Sequence, residues 1–271
     1  MPELPEVETT RRGILPHING KTVTQINIRE RRLRWPVPTV LSQRLAQQTL
    51  VDIQRRAKYL LFSFANGTMM LHLGMSGSLR ICDPAEEFRK HDHVEIVFDN
   101  KFSLRFHDPR RFGSIHWIKD EPLEHELLCN LGPEPLSRQF TADYLYQLSR
   151  KRKVAIKQFI MNSHIVVGVG NIYASEALFL AGINPKRSAG KISLERYKLL
   201  VDAIKKILRR SIKQGGTTLR DFLHSDGQPG YFKQQLNVYD RKGEPCKQCG
   251  TPIKQFTQGQ RSTFYCSHCQ K

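Results

Sequence analysis

Gly132-Pro133-Glu134-Pro135 decides how the chain is read, because a glycine and two prolines in four residues cannot continue a helix or a strand. Ahead of it apolar residues recur mostly at every second position; behind it they recur every three to four. The expected fold is therefore α+β, with an antiparallel β domain before the boundary and a helical domain after it.

Outward toward the N-terminus, Val23-Thr24-Gln25-Ile26-Asn27-Ile28 alternates and a short helix is expected around Leu41 and Leu45. Asn66-Gly67 joins the apolar runs 59–64 and 68–73, a hairpin signal. A second hairpin pairs 94–98 with 102–106 across Asp99-Asn100. In front of the strands, Val7, Arg11 and Ile14 keep helical spacing and Pro16 ends that pattern. This half reads as a β-sandwich or barrel with a leading helix.

Outward toward the C-terminus, Leu145 and Leu148 open a helix expected to finish in the basic run Arg150-Lys151-Arg152-Lys153, and Val154, Ile156, Phe159 and Ile160 mark the next. The clearest helix starts after Ser193 as N-cap, with Leu194, Tyr197, Val201, Ile204, Leu208 and Ser211 on one face. Its outer face carries Lys205, Lys206, Arg209, Arg210 and Lys213, and Gly215-Gly216 stops it. Expected domains are 2–132, 133–232 and a terminal module at 237–271.

The 271 residues carry 43 Lys and Arg against 25 Asp and Glu, a net charge of +18 spread along the whole length. Such a field favours a polyanion, with nucleic acid first. No apolar run approaches the roughly 18 residues that span a bilayer, and no signal peptide leads the chain, so no membrane role and an intracellular location are expected. In a reducing compartment the pairs Cys246/Cys249 and Cys266/Cys269 suggest metal before disulfide, and residues 250–265 between them suit a closed, structural four-cysteine zinc site. His268 reads as a surface residue, and Cys82 and Cys129 as inert.

Chemistry concentrates at the start, Met1-Pro2-Glu3-Leu4-Pro5-Glu6. Removal of Met1 leaves the secondary amine of Pro2, and an α-amino group titrates at about 7.7 to 8.0, so part of it is a neutral nucleophile near pH 7. Attack on an aldehyde-like carbon gives an iminium, an electron sink for eliminations. Glu3 is placed for general acid–base work. The same residues also suit a plain helix start, with prolines and acids in the first turn.

Gly168 and Gly170 precede a helix led by Asn171, an arrangement in which backbone amides meet a phosphate. The segments 72–77 and 107–113 leave strands as loops bearing Met75, Arg110 and Phe112, which together could fill the gap left by an extruded base. Residues 217–232 form a long Gly-rich connection, read as a mobile binding loop.

Taken together, Met1 to Glu6, Gly74-Met75-Ser76-Gly77, Asp108-Pro109-Arg110-Arg111-Phe112-Gly113, Gly168-Val169-Gly170-Asn171-Ile172-Tyr173 and the four-cysteine finger resemble the bacterial formamidopyrimidine-DNA glycosylases over essentially the whole chain. Leu4 is closer to that family than to its relative endonuclease VIII, which usually has Gly there. The resemblance implies a β-sandwich, a helix-two-turn-helix domain and a zinc finger with one structural Zn2+. It implies excision of 8-oxoguanine and formamidopyrimidines from double-stranded DNA, then strand cleavage by β,δ-elimination, by a monomer in the bacterial cytoplasm. By the same resemblance Pro2 is the Schiff-base nucleophile, Glu3 the proton donor, Lys58 the β-elimination lysine and Arg261 the δ-elimination arginine. His91, Arg110, Lys153 and Asn171 match DNA contacts, and Met75, Arg110 and Phe112 the wedge. The composition alone also suits a non-catalytic DNA-binding module or a ribosome-associated zinc protein.

Overall fold

The computed structural model describes residues 2–215 and 236–271. The loop 217–232 lies outside them. The described residues divide into two compact units, one reaching Cys129 and the other beginning at Asn130.

The first unit opens with α1 (Leu4–Ile18). Glu3 is its N-cap, and the Glu6 carboxylate accepts the Glu3 amide at 2.8 Å, one arm of a capping box. The helix runs through Pro16 instead of stopping before it. Pro16 forfeits one bond in the last turn, which burial of Ile14 and Ile18 and the Asn19 amide on Leu15 O at 3.0 Å offset.

Eight strands follow: β1 (Val23–Ile28), β2 (Asp52–Arg56), β3 (Tyr59–Phe64), β4 (Gly67–His72), β5 (Ser78–Cys82), β6 (Asp92–Phe98), β7 (Ser103–His107) and β8 (Ser114–Ile118), with α2 (Leu41–Leu45) between the first two. They form two antiparallel four-stranded sheets, ordered β1-β6-β7-β5 and β2-β3-β4-β8. Phe62, Met69 and Leu71 of one sheet meet Ile96, Leu104 and Phe106 of the other in a core that also takes Val7, Ile14 and Ile18 of α1. Each such side chain contributes about 1.5–3 kcal/mol by leaving water, and α1 is thereby fixed to the sandwich.

The β3–β4 turn differs by one residue from the sequence reading. Phe64 pairs with Gly67, so Ala65-Asn66 makes the turn. Gly67 opens β4 at φ +148, where a Cβ would stand 2.6 Å from Ile118 O and 2.7 Å from the Trp117 ring. The glycine serves the close approach of β8. The β6–β7 hairpin closes with the Phe98 amide on Phe102 O at 2.9 Å and Lys101 left-handed at φ 64.

The second unit holds α3 (Ala142–Ser149), α4 (Ile156–Met161), α5 (Asn171–Leu180), α6 (Leu194–Lys213) and a hairpin of β9 (Lys254–Gln258) and β10 (Arg261–Tyr265). The basic run 150–153 is loop, not helix end. Arg150 turns extended and donates to Tyr146 O at 3.0 Å and Ile192 O at 2.8 Å, and Lys151 is left-handed. Val154 is exposed and lies outside α4. α6 starts after Ser193, whose Oγ accepts the Arg196 amide at 3.4 Å, and it packs on α3 and α5. Phe264, Ile253 and Val238 gather around Phe179 of α5, so the terminal hairpin rests on that helix.

Candidate active site and nucleic-acid contacts

Pro2 and Glu3 are both buried, Glu3 to 1% exposure, where the chain enters α1. α1 packs on β2 and β3, whose connecting turn is Ala57-Lys58. Ala57 is left-handed at φ 55, and Arg55 Nη1 donates to its carbonyl at 2.9 Å. Lys58 therefore stands on a turn held by Arg55 and is half-buried.

His72 ends β4 opposite Tyr59. Its Nδ1 accepts the Gly74 amide at 2.9 Å, so a neutral ring carries its proton on Nε2. Burial first, then the charges of Lys58 and Arg34 and the nearby His116, push its pKa down to about 4. At neutral pH this imidazole is an uncharged donor beside a lysine.

The two wedge loops are locked to each other. Asp108, fully buried, accepts the Ser76 hydroxyl at 2.7 Å on one oxygen and the Gly113 amide at 2.8 Å on the other. Ser76 Oγ in turn accepts the Arg110 amide at 3.2 Å. Gly74 is left-handed at φ +67, and a Cβ there would meet Gly113 N and Phe112 C at 2.4 Å. On this platform Met75 is 39% exposed and Phe112 43%, although such residues are commonly core. The Arg110 guanidinium lies 5.0 Å over the Phe112 ring. Beside them opens a cleft of about 730 Å3, which Arg32, Arg34 and His72 also line. An apolar wedge flanked by guanidinium groups suits insertion between anionic strands.

His91 is half-buried one residue before β6, with its ring against His93 and His107 at centroid distances of 6.2 and 5.8 Å. Desolvation and its charged neighbours lower its pKa, and its carbonyl accepts the Asp108 amide at 3.0 Å. His91 thus adjoins the wedge platform through the backbone.

In the second unit, α4 and α5 are joined by two turns at 162–170, with Gly168 left-handed at φ 78 and Gly170 as N-cap of α5. Asn171 leads α5. Its Oδ1 accepts from Lys157 Nζ at 2.6 Å, and its Nδ2 donates to Ser262 O at 2.9 Å. Lys157 is 1% exposed and also donates to Thr263 Oγ1 at 2.7 Å and Ser262 O at 3.2 Å. Sequence reasoning passed over Lys157; a lysine on the apolar side of a short helix was the only signal. Arg261 is exposed and follows the turn Gly259-Gln260, both residues left-handed, as a two-residue hairpin requires. It lines a cleft of about 190 Å3 with Lys157 and Gln158. Lys153 is exposed in the loop before α4.

The four Sγ atoms of Cys246, Cys249, Cys266 and Cys269 lie within 4.8 Å of one another, with Cys246–Cys269 at 3.9 Å and Cys249–Cys266 at 3.5 Å. Zn–S bonds of about 2.3 Å at tetrahedral angles require sulfurs about 3.8 Å apart, so the set fits Zn2+. Gln248 N–H and Cys269 N–H point at Cys246 and Cys266 sulfurs, as expected for thiolates. With four protein ligands the centre is structural. His268 is exposed.

Three family models match the chain: the formamidopyrimidine-DNA glycosylase N-terminal domain over residues 1–115, the formamidopyrimidine-DNA glycosylase H2TH domain over 131–223, and the zinc finger found in FPG and IleRS over 243–271. The chain is 58% identical over 271 residues, the full length of both, to the formamidopyrimidine-DNA glycosylase of Methylococcus capsulatus. Among solved structures it resembles a mutant Lactococcus lactis protein in complex with DNA containing Fapy-dG, with TM-score 0.93, 33% identity and all of each chain covered. It also resembles MutM in complex with DNA containing carbocyclic 8-oxo-G, with TM-score 0.91, 34% identity and again full coverage.

Proposed function

The chain belongs to the formamidopyrimidine-DNA glycosylase family, and from that premise we propose the part each residue plays in its reaction. The enzyme is a bifunctional glycosylase and AP lyase that removes 8-oxoguanine and formamidopyrimidine lesions from DNA. Among the described residues no helix is long and apolar enough to cross a membrane. It acts as a monomer in the bacterial cytoplasm.

The observation that carries the mechanism is the burial of Glu3 at the N-cap of α1, next to Pro2, on a helix that packs against β2 and β3. The Pro2 nitrogen attacks C1′ of the lesion nucleotide; the glycosidic C1′–N bond breaks and its electrons leave with the base. Glu3 supplies the proton that opens the sugar ring. The resulting iminium at C1′ withdraws electrons, so the C2′ proton becomes acidic and the C3′–O bond breaks. Repetition along the sugar breaks the C5′–O bond. Lys58 serves the first elimination from the β2–β3 turn, whose Ala57 carbonyl accepts from Arg55, and Arg261 the second, through the hairpin of the finger. Cys246, Cys249, Cys266 and Cys269 would hold a Zn2+ that fixes the base of that hairpin and, with four protein ligands, would take no part in bond changes.

Extrusion of the base costs a few kcal/mol, offset by Met75, Arg110 and Phe112 in the vacated stack and by phosphate contacts from His91, Lys153 and Asn171. The test is borohydride trapping on a duplex with one 8-oxoguanine, followed by peptide mapping. A covalent adduct at Pro2 supports the assignment. An adduct at Lys58 instead, or none despite binding, would sink it.

A further inference from the structure

The exposed side of α6 plays no part in the reaction assigned above. At about 100° per residue, the buried positions Tyr197, Leu200, Ile204, Ile207, Leu208 and Ser211 cluster on one side of that helix, facing α3 and α5. Lys206, Arg209 and Lys213 fall within an arc of about 60° on the opposite side and span about 10 Å of helix. Lys205 and Arg210 flank them, and no acid occurs between residues 205 and 213. Among the described residues, Lys206, Arg209 and Lys213 have no ion-pair partner, and all three are exposed.

Stabilisation of the helix dipole accounts for cations only in the last turn, and Lys205 lies 5.9 Å over the Phe140 ring, which leaves Lys206 and Arg209 unexplained. The two acids of the helix's solvent side, Glu195 and Asp202, lie in its first half. A rigid row of cations on a helix, with no apolar anchor among them, matches a regular row of phosphates better than a folded protein surface, whose recognition relies on apolar anchors.

We propose that this face holds a second, undamaged segment of duplex DNA by its phosphates, so that one enzyme molecule can bridge two duplexes and pass between them. The contact is electrostatic and carries no sequence information. Asn171 leads α5, which packs on the buried side of α6, opposite the cationic row, and the finger hairpin packs on α5.

The experiment loads the zinc-replete enzyme with a short duplex carrying a non-cleavable abasic analogue, then titrates in a labelled undamaged 20-bp duplex. The intact enzyme should bind the second duplex, with a log–log salt slope steeper by about 2 to 3 than that of K206E/R209E/K213E, each lost phosphate contact contributing about 0.9. The variant should bind the second duplex at least 10-fold more weakly, yet retain its single-turnover excision rate on a short 8-oxoguanine duplex. K206Q/R209Q/K213Q, which keeps helix-forming side chains, should show a smaller loss in the same direction. Failure of the loaded enzyme to take a second duplex, or equal binding by the variants, overturns the proposal. So does displacement of the second duplex by an oligoglutamate at equal charge, which would make this a surface for an acidic protein.

Discussion

Lys157 Nζ donates to Asn171 Oδ1 at 2.6 Å, so a buried cation on α4 fixes the side chain that leads α5. The same ammonium reaches Ser262 O and Thr263 Oγ1, which ties both helices to the hairpin that carries Arg261. Lys157→Met keeps the bulk and removes the donors, leaving buried acceptors without them, at a cost of about 1–3 kcal/mol. Urea unfolding should show that loss. Affinity for an abasic-site duplex should fall about 10-fold or more, because Asn171 loses its orientation; an unchanged Kd would detach Asn171 from Lys157.

Gly74 and Gly20 separate two reasons for glycine. Both are left-handed, at φ +67 and +71, so alanine at either costs about 1 kcal/mol in backbone strain. Around Gly20 nothing lies within 4 Å, whereas at Gly74 a Cβ would meet backbone of Phe112 and Gly113 at 2.4 Å. Gly20→Ala should lower stability by about 1 kcal/mol and leave excision intact. Gly74→Ala should cost more than 3 kcal/mol or part the wedge loops, reducing kcat/KM on an 8-oxoguanine duplex at least 10-fold while sparing cleavage of single-stranded abasic DNA.

These cases mark where the sequence is legible. Periodicity found β1, β3, β4, β6 and β7, the leading helix and α6, whose apolar residues recur over Leu4–Ile18, Tyr59–Phe64 and Leu194–Lys213, but it gave no sign of β2, β5 or β8. Cysteine spacing found the zinc centre, because ligand geometry is local. What it could not supply is set by tertiary neighbours. Gly67 looked like a turn residue and is instead the point where Trp117 crosses. The run 150–153 looked helical, but Arg150 caps Tyr146 O and Ile192 O from an extended backbone. Lys157 showed only as a lysine on the apolar side of a short helix, since its acceptors Ser262 and Thr263 are more than a hundred residues away.

Acid should destabilise the protein in two steps. His72 is held neutral at a pKa of about 4 against an ordinary 6.5, so the unfolded chain binds the extra proton first. Stability from this site is complete above 6.5 and is lost as pH falls toward 4, by up to about 3 kcal/mol. Burial alone would raise the pKa of Glu8, yet the guanidiniums of Arg11, Arg12 and Arg55 hold it down to about 2. Its contribution is present above 4.5 and is lost between 4.5 and 2. Denaturant titrations from pH 8 to 3 on the intact protein and His72→Asn should differ in slope only in the upper window. Parallel curves there would remove His72 as the cause.

Zinc removal should divide the two activities of the enzyme. The hairpin of β9 and β10 leans on a core that includes Cys246 and Cys266, so loss of the metal loosens the strand that begins with Arg261. Pro2, Glu3 and Lys58 lie in the other unit, whose core contains none of the four cysteines. Cys249→Ser leaves three thiolates and should lower zinc content well below one per chain by colorimetric assay. On duplex DNA it should bind weakly, because the finger also anchors Asn171 through Ser262. At DNA concentrations that restore binding, borohydride trapping at Pro2 should return while the products shift from δ- toward β-elimination on a sequencing gel. A zinc-free protein that still gives full δ-elimination would show that Arg261 does not depend on the metal for its position.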